Sequence, residues 1–214
     1  MTNLQGRTIR VGIALLTLSL MATAIGVTRS NATQSQGLAG GMSALKGDAT
    51  SPSGASSDVA KIVVELAQNV GGDPSTALAS LRLLRGNLGS AREALYVFST
   101  GKHPLCVVFW PRGASCQTGS LTALPGVLLQ LSPGGVGYPG QPDDLHAALA
   151  GVATDDVVSI ALTMEGSSRS ASVTNNAFFL DLGLLADWPS STIEITATYA
   201  DGSERSVALP NLAS

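Results

Sequence analysis

Few side chains in this chain could carry chemistry. Only two histidines, His103 and His146, stand among its 214 residues, so any histidine-dependent proton transfer must use one of them. His103 lies in Thr100-Gly101-Lys102-His103-Pro104, between two apolar runs, and reads as a turn residue. His146 follows Asp143-Asp144-Leu145. With one of those aspartates and a serine such as Ser132 or Ser167 it would form an acyl-transfer triad. The carboxylate would orient the imidazole, and the imidazole would take the hydroxyl proton. Nothing singles out a nucleophile, because the chain has no G-x-S-x-G, S-x-x-K or H-E-x-x-H pattern. The Pro/Gly-rich stretch 132–140 lacks the lysine that a phosphate-binding loop needs. No catalytic, cofactor-binding or metal-ligating residue is therefore assigned, and no cofactor is expected.

The acidic pairs Asp143-Asp144 and Asp155-Asp156 could serve Ca²⁺, a hard ion that wants six to eight oxygens, but no EF-hand or Gly-Asp repeat surrounds them. Asp143-Asp144 after Pro142 has the character of a turn. Cys106 and Cys116 flank a strand-like run, a Pro/Gly turn and the start of a return strand, a geometry that brings the sulfurs together. An even cysteine count in an exported chain makes a disulfide the leading reading, worth about 2.5 to 3 kcal/mol in the chain-entropy model. Two buried free thiols are the alternative. Metal ligation lacks two further ligands at suitable spacing, and a redox role lacks the C-x-x-C pattern.

The elements that would position these residues are mostly strands. Short apolar or alternating runs at 94–99, 105–110, 126–131, 157–164, 177–182, 192–199 and 206–209 recur with turn residues between them, as in a sandwich or barrel. The clearest hairpin places Ile193, Ile195, Ala197 and Tyr199 on one face and turns at Asp201-Gly202, where glycine supplies positive φ. Val158, Ile160, Leu162 and Met164 share the buried face of another strand, with Val157, Ser159, Ala161 and Thr163 on its wet side. Upstream, Asp58 caps a helix carrying Val59, Ile62, Val63, Leu66 and Val70, stopped by Gly71-Gly72. Asp73-Pro74 starts a second one through Leu78, Leu81, Leu84 and Leu88.

The first ten residues carry Arg7 and Arg10 and no acid, and residues 11–27 run without a charge. That pattern is an export signal, oriented N-inside and C-outside by its basic flank. It has two fates. Ala22-Thr23-Ala24 offers signal peptidase a cleavage site, or the 17-residue run is kept as an anchor of about 25 Å, short for a bilayer core. Residues 28–57 are rich in Ser, Gly, Ala and Thr and read as a flexible linker, with a root-mean-square reach of about 30 Å. Charge divides unevenly: net +3 over residues 1–57, +2 over 58–112 and −8 over 113–214. An acidic C-terminal half repels phosphate polymers, so no nucleic-acid partner is expected. Aromatic residues make up only 4% of the chain, which leaves little stock for base-stacking or sugar-stacking platforms and disfavours both classes of ligand.

Leu83-Leu84-Arg85-Gly86-Asn87-Leu88-Gly89, Leu95-Tyr96-Val97-Phe98, Leu105-Cys106-Val107-Val108 with Cys116, Gly151-Val152-Ala153-Thr154-Asp155-Asp156-Val157 and Val173-Thr174-Asn175-Asn176-Ala177-Phe178-Phe179 together resemble a family of exported actinobacterial cell-envelope proteins that has no assigned activity. The resemblance covers roughly residues 75–210. It implies an exported β-rich domain with a cysteine pair and transfers no catalytic residue. Independently, Asn175-Asn176 can adopt positive φ at a strand turn before Phe178-Phe179 enter the core.

The expected architecture is mainly β, a sandwich-like or small antiparallel barrel domain over 91–214. It follows a helical segment at 58–90, a linker at 28–57 and a signal peptide or single transmembrane anchor at 1–27. The expected role is a non-catalytic binding or structural module outside the cytoplasm. It would be secreted or membrane-anchored, with the membrane as partner through residues 11–27 if they are kept, and a protein or envelope ligand on the β domain. The alternative is an extracytoplasmic hydrolase using His146 with an aspartate and a serine.

Overall fold

The structure, a computed structural model, describes residues 38–46, 56–89, 92–116, 124–132, 146–164, 167–183 and 192–209. Residues 1–37 lie outside it, so the apolar run and its cleavage site are not described. Among the described residues, no helix is long and apolar enough to cross a membrane. The fold is mainly antiparallel β, as the turn spacing predicts. A 3₁₀ turn, Ser43–Leu45, precedes helices α1 (Ser57–Asn69) and α2 (Pro74–Ala79). Then come β1 (Arg82–Leu88), β2 (Glu93–Phe98), β3 (Cys106–Trp110), β4 (Gly113–Ser115), β5 (Val127–Ser132) and β6 (Ala147–Ala153). The chain continues through β7 (Val157–Met164), β8 (Ser167–Ser172), β9 (Ala177–Gly183), β10 (Ile193–Tyr199) and β11 (Glu204–Leu209).

The strands form a first sheet β1-β2-β3-β4, a second β5-β6-β9 and a third β11-β10-β7-β8. Alternation along the strands stacks them. Val59, Val63 and Ala67 of α1 pack on Tyr96, Phe98, Cys106 and Val108, one face of the first sheet. Its other face, with Leu95, Val97, Val107 and Phe109, meets Ala148, Ala150 and Val152 of β6. The opposite side of β6, Ala147, Leu149 and Ala153, meets Ile160, Leu162, Ile195 and Ala197 of the third sheet. Strand β6 is therefore buried on both faces, which small side chains allow. A Cβ at Gly151 would lie 2.3 Å from the Leu128 carbonyl oxygen and 2.6 Å from the Phe178 ring.

The helices begin as side-chain chemistry dictates, with one change. Ser56, not Asp58, caps α1 by accepting from the Val59 amide, and Asp58 sits in the first turn, where its charge suits the helix dipole. Asp73 caps α2 by accepting from the Ser75 and Thr76 amides, with Pro74 opening the helix as expected. That helix stops at Ala79, however, and Arg82–Leu88 is strand β1, so the helical reading of 58–90 fails at its end. The leucines spaced for a helix are drawn out instead. Leu84 and Leu88 enter the core between the first two sheets, on a strand whose pairing with β2 is irregular.

The linker reading fails over residues 38–46. Met42 is completely buried, and Leu38 is nearly so, among Leu84, Leu88, Leu95 and Val97. A Gly/Ser composition hides this, because one large apolar side chain suffices to bury the segment.

The third sheet presents two unlike faces. Its register aligns Ser206, Thr196, Ala161 and Ser170 in one outward cross-strand row. Glu204, Thr198, Ser159 and Ser172 form a second row, and Ala208, Glu194, Thr163 and Ser168 a third. The register jumps at Thr198/Tyr199, leaving Val158 as the extra residue of a bulge. Val157 is thereby buried and Val158 stands 43% exposed, the reverse of the simple alternation.

Candidate functional site

Cys106 and Cys116 are joined by a disulfide beneath the helical layer, with a Cα–Cα distance of 4.1 Å. The pairing of Val107 with Ser115 holds the two cysteines opposite one another across β3 and β4, so the strand–turn–strand reading is correct.

His146, at the entrance to β6, finds its carboxylate in Asp181 of β9, with Nδ1 3.2 and 3.3 Å from the two carboxylate oxygens. Both side chains are about two-fifths exposed, at 38% and 40%. Asp143 and Asp144, the partners expected from sequence, lie outside the described residues. Ser132 lies on β5 and its Oγ is 3.5 Å from an Arg112 nitrogen, at the limit of a hydrogen bond. Ser167 opens β8 opposite Met164. Among the described residues neither serine is hydrogen-bonded to His146, whose partner is the Asp181 carboxylate.

Beneath this pair lies a buried ion pair that sequence reading missed. Glu93 at the start of β2 is 1% exposed, and the Arg112 side chain is 2% exposed. Arg112 donates from Nε and Nη2 to Glu93 Oε1 and from Nη1 to the main-chain oxygen of His146, while its guanidinium stacks on Phe109. One cation thereby ties the first sheet to the entrance of β6 in the second. Among the described residues, Glu93 Oε2 is buried without a hydrogen-bond partner. Burial pushes the Glu93 carboxyl above its usual value, against the pull of Arg112. A charged residue at the edge of an apolar strand was the available signal for Glu93, as was the lone acid in Phe178-Phe179-Leu180-Asp181-Leu182 for its neighbour.

A second polar cluster clasps residues 38–46 to the domain. Asp155 Oδ1 accepts from the Ser43 amide and hydroxyl, each at 2.9 Å, and from Asn176 Nδ2 at 2.8 Å. The Asn176 side-chain oxygen accepts from the Ala44 amide at 2.8 Å, and the Asp155 amide donates to the Gly41 carbonyl. These hydrogen bonds hold the Asp155 carboxyl below its usual value, the Ser43 amide contributing most. Asn175 and Asn176 adopt φ of 52° and 60°, the left-handed turn expected of them. Asp156 turns elsewhere and accepts from the Thr154 hydroxyl, so the two adjacent carboxylates face different partners. Among the described residues no three His, Cys, Asp or Glu side chains converge as metal ligands. His103 sits in the β2–β3 turn, where its amide donates to Thr100 Oγ1 at 3.0 Å and its carbonyl accepts from the Thr100 amide. No family model, curated protein or solved structure matches the chain.

Proposed function

We propose that this chain is an exported, non-catalytic module of the cell envelope, of the kind its sequence resembles in actinobacteria. It would bind or support an envelope component outside the cytoplasm, secreted or anchored by residues 11–27. The observation that carries this reading is the Cys106–Cys116 disulfide downstream of a basic-then-apolar N-terminus, since such bonds persist in oxidising compartments. The polar residues beside His146 support the non-catalytic half. Arg112 is committed to Glu93 and to the His146 carbonyl, and among the described residues the imidazole bonds to the Asp181 carboxylate and to neither Ser132 nor Ser167. The hydrolase reading retains that half-exposed His146–Asp181 pair, and loss of esterase or peptidase activity in His146→Ala would be its signature.

Cell fractionation with N-terminal sequencing and thiol alkylation tests the proposal. The expected product lies in the membrane or culture-fluid fraction with both thiols resistant to alkylation until reduced. Full-length protein in the soluble interior, with both thiols freely alkylated, would refute it.

A further inference from the structure

The docking of residues 38–46 changes where the apolar N-terminal run joins the folded domain. Were residues 28–57 all linker, thirty residues would separate the two. Leu38 instead lies in the core with Leu84 and Leu88 of β1, so only the ten residues 28–37 intervene. Drawn fully straight, ten residues reach about 35 Å, and a compact body of this size is itself about 40 Å across. The rim at which Leu38 enters is therefore the membrane-proximal part of an anchored domain. That rim is β1, an edge strand of the first sheet. It carries Arg82, Leu83 and Arg85, with Arg92 in the turn to β2, and residues 82–92 include no acid. Arg82 reaches back to the Ala44 carbonyl at 3.5 Å. Arg85 is half-exposed and Arg92 exposed, and among the described residues no carboxylate lies within ion-pair distance of either. Leu83 is 39% exposed, one of two large apolar side chains so exposed among the described residues. Asp155, which holds residues 38–46, is engaged by Ser43 and Asn176, and Lys46 favours its charged form.

We propose that β1 and the turn after it seat the domain on the anionic phospholipid headgroups of the membrane that residues 11–27 enter. An exposed leucine beside guanidinium groups suits that surface, because the cations stay at the level of the phosphates while the apolar side chain enters the interface. Charge also sets the orientation. Residues 58–112 carry net +2 and are drawn to an anionic surface, whereas residues 113–214, at net −8, are turned away from it. Each arginine beside such a surface favours seating about fivefold, too little to recruit a free protein. The short connection makes it enough, since it holds the rim beside the lipid at a high effective concentration. The inference rests on the anchored form of the envelope-module reading. Fractionation decides whether residues 11–27 are kept, whereas the test below places them in a bilayer and asks only how the domain then sits, so the two fail separately.

The test reconstitutes the full-length chain, with residues 11–27 in the bilayer, into nanodiscs of phosphatidylcholine alone or mixed with phosphatidylglycerol. Leu83→Trp puts an indole on the rim, and quenching of its emission by brominated lipid tails, beyond that of the parent with Trp110 and Trp188, reports seating. Strong quenching is expected in the mixed discs and little in the neutral ones, and high salt should abolish it. Arg85→Gln with Arg92→Gln should lower the ratio of seated to unseated domain about fivefold or more, while Lys61→Gln on α1 leaves it unchanged. Amide exchange over residues 82–92 of the unsubstituted chain, slower in mixed than in neutral discs, reads the same seating without any variant. Equal quenching and equal exchange in the two kinds of disc would overturn the proposal. So would mixed-disc quenching that survives both high salt and a well-folded double variant.

Discussion

Glu93 and Arg112 illustrate how a buried charge can be indispensable yet add little net stability. Removing the cation alone strands a carboxylate at 1% exposure, so Arg112→Met should cost about 3 to 5 kcal/mol in chemical denaturation. Replacing both groups, as Glu93→Leu with Arg112→Met, should recover most of that loss, because the pair's mutual attraction largely offsets its desolvation. The pH dependence has a definite sign. The Glu93 pKa is raised in the folded state, so its contribution is fully present below 4.5 and is lost as pH rises through the folded value. Asp155 behaves oppositely. Its lowered pKa contributes stability above 3.8 that is lost as pH falls through the folded value. Stability measured by denaturant midpoint should therefore rise on mild acidification and fall on strong acidification, and Glu93→Gln should flatten only the first limb. Little of this was legible beforehand. Sequence proximity pointed His146 toward Asp143 and Asp144, whereas Asp181 reaches it only because β9 pairs with β6.

Among the elements, those with a single strong pattern were readable and those relying on tertiary burial were not. The hairpin of β10 and β11 follows from alternation and from Gly202, whose φ is 82°. Strand β6, Ala-Ala-Leu-Ala-Gly-Val-Ala, shows no alternation because two cores claim its two faces. Strand β8 is Ser-rich and owes its place to pairing with β7. Residues 38–46 look like linker, yet Met42 is completely buried. Met42→Ala should cost about 2 to 5 kcal/mol, the range for truncating a buried methionine, and should leave amide exchange at Ser43 and Ala44 fast. An unchanged denaturation midpoint would show that the segment lies on the domain without stabilising it. Gly151→Ala tests the tight passage in β6. With the Leu128 backbone and the Phe178 ring both within 3 Å of the new carbon, it should destabilise by about 1 to 3 kcal/mol or more, read as a lowered midpoint.

At the scale of the whole molecule, the three cores are arranged in series and share walls. The first sheet closes the cores on either side of it and the second does the same, so no core can be lost without baring one face of a sheet that another core still needs. That arrangement predicts one cooperative transition rather than layer-by-layer melting. The disulfide tests it, because it lies at one end of the series, under α1 and remote from the third sheet. In the folded protein the β3–β4 register already holds the two cysteines together, so the bond acts on the unfolded chain. Closing a separation of ten residues there removes entropy worth about 2.5 to 3 kcal/mol at 25 °C. Reduction should lower global stability by that amount. If the cores unfold together, the most protected amides of β10, two sheets away, should exchange faster by the same factor as those of β3. Acceleration confined to β3 and the helices would instead divide the protein at the boundary between its first and second sheets.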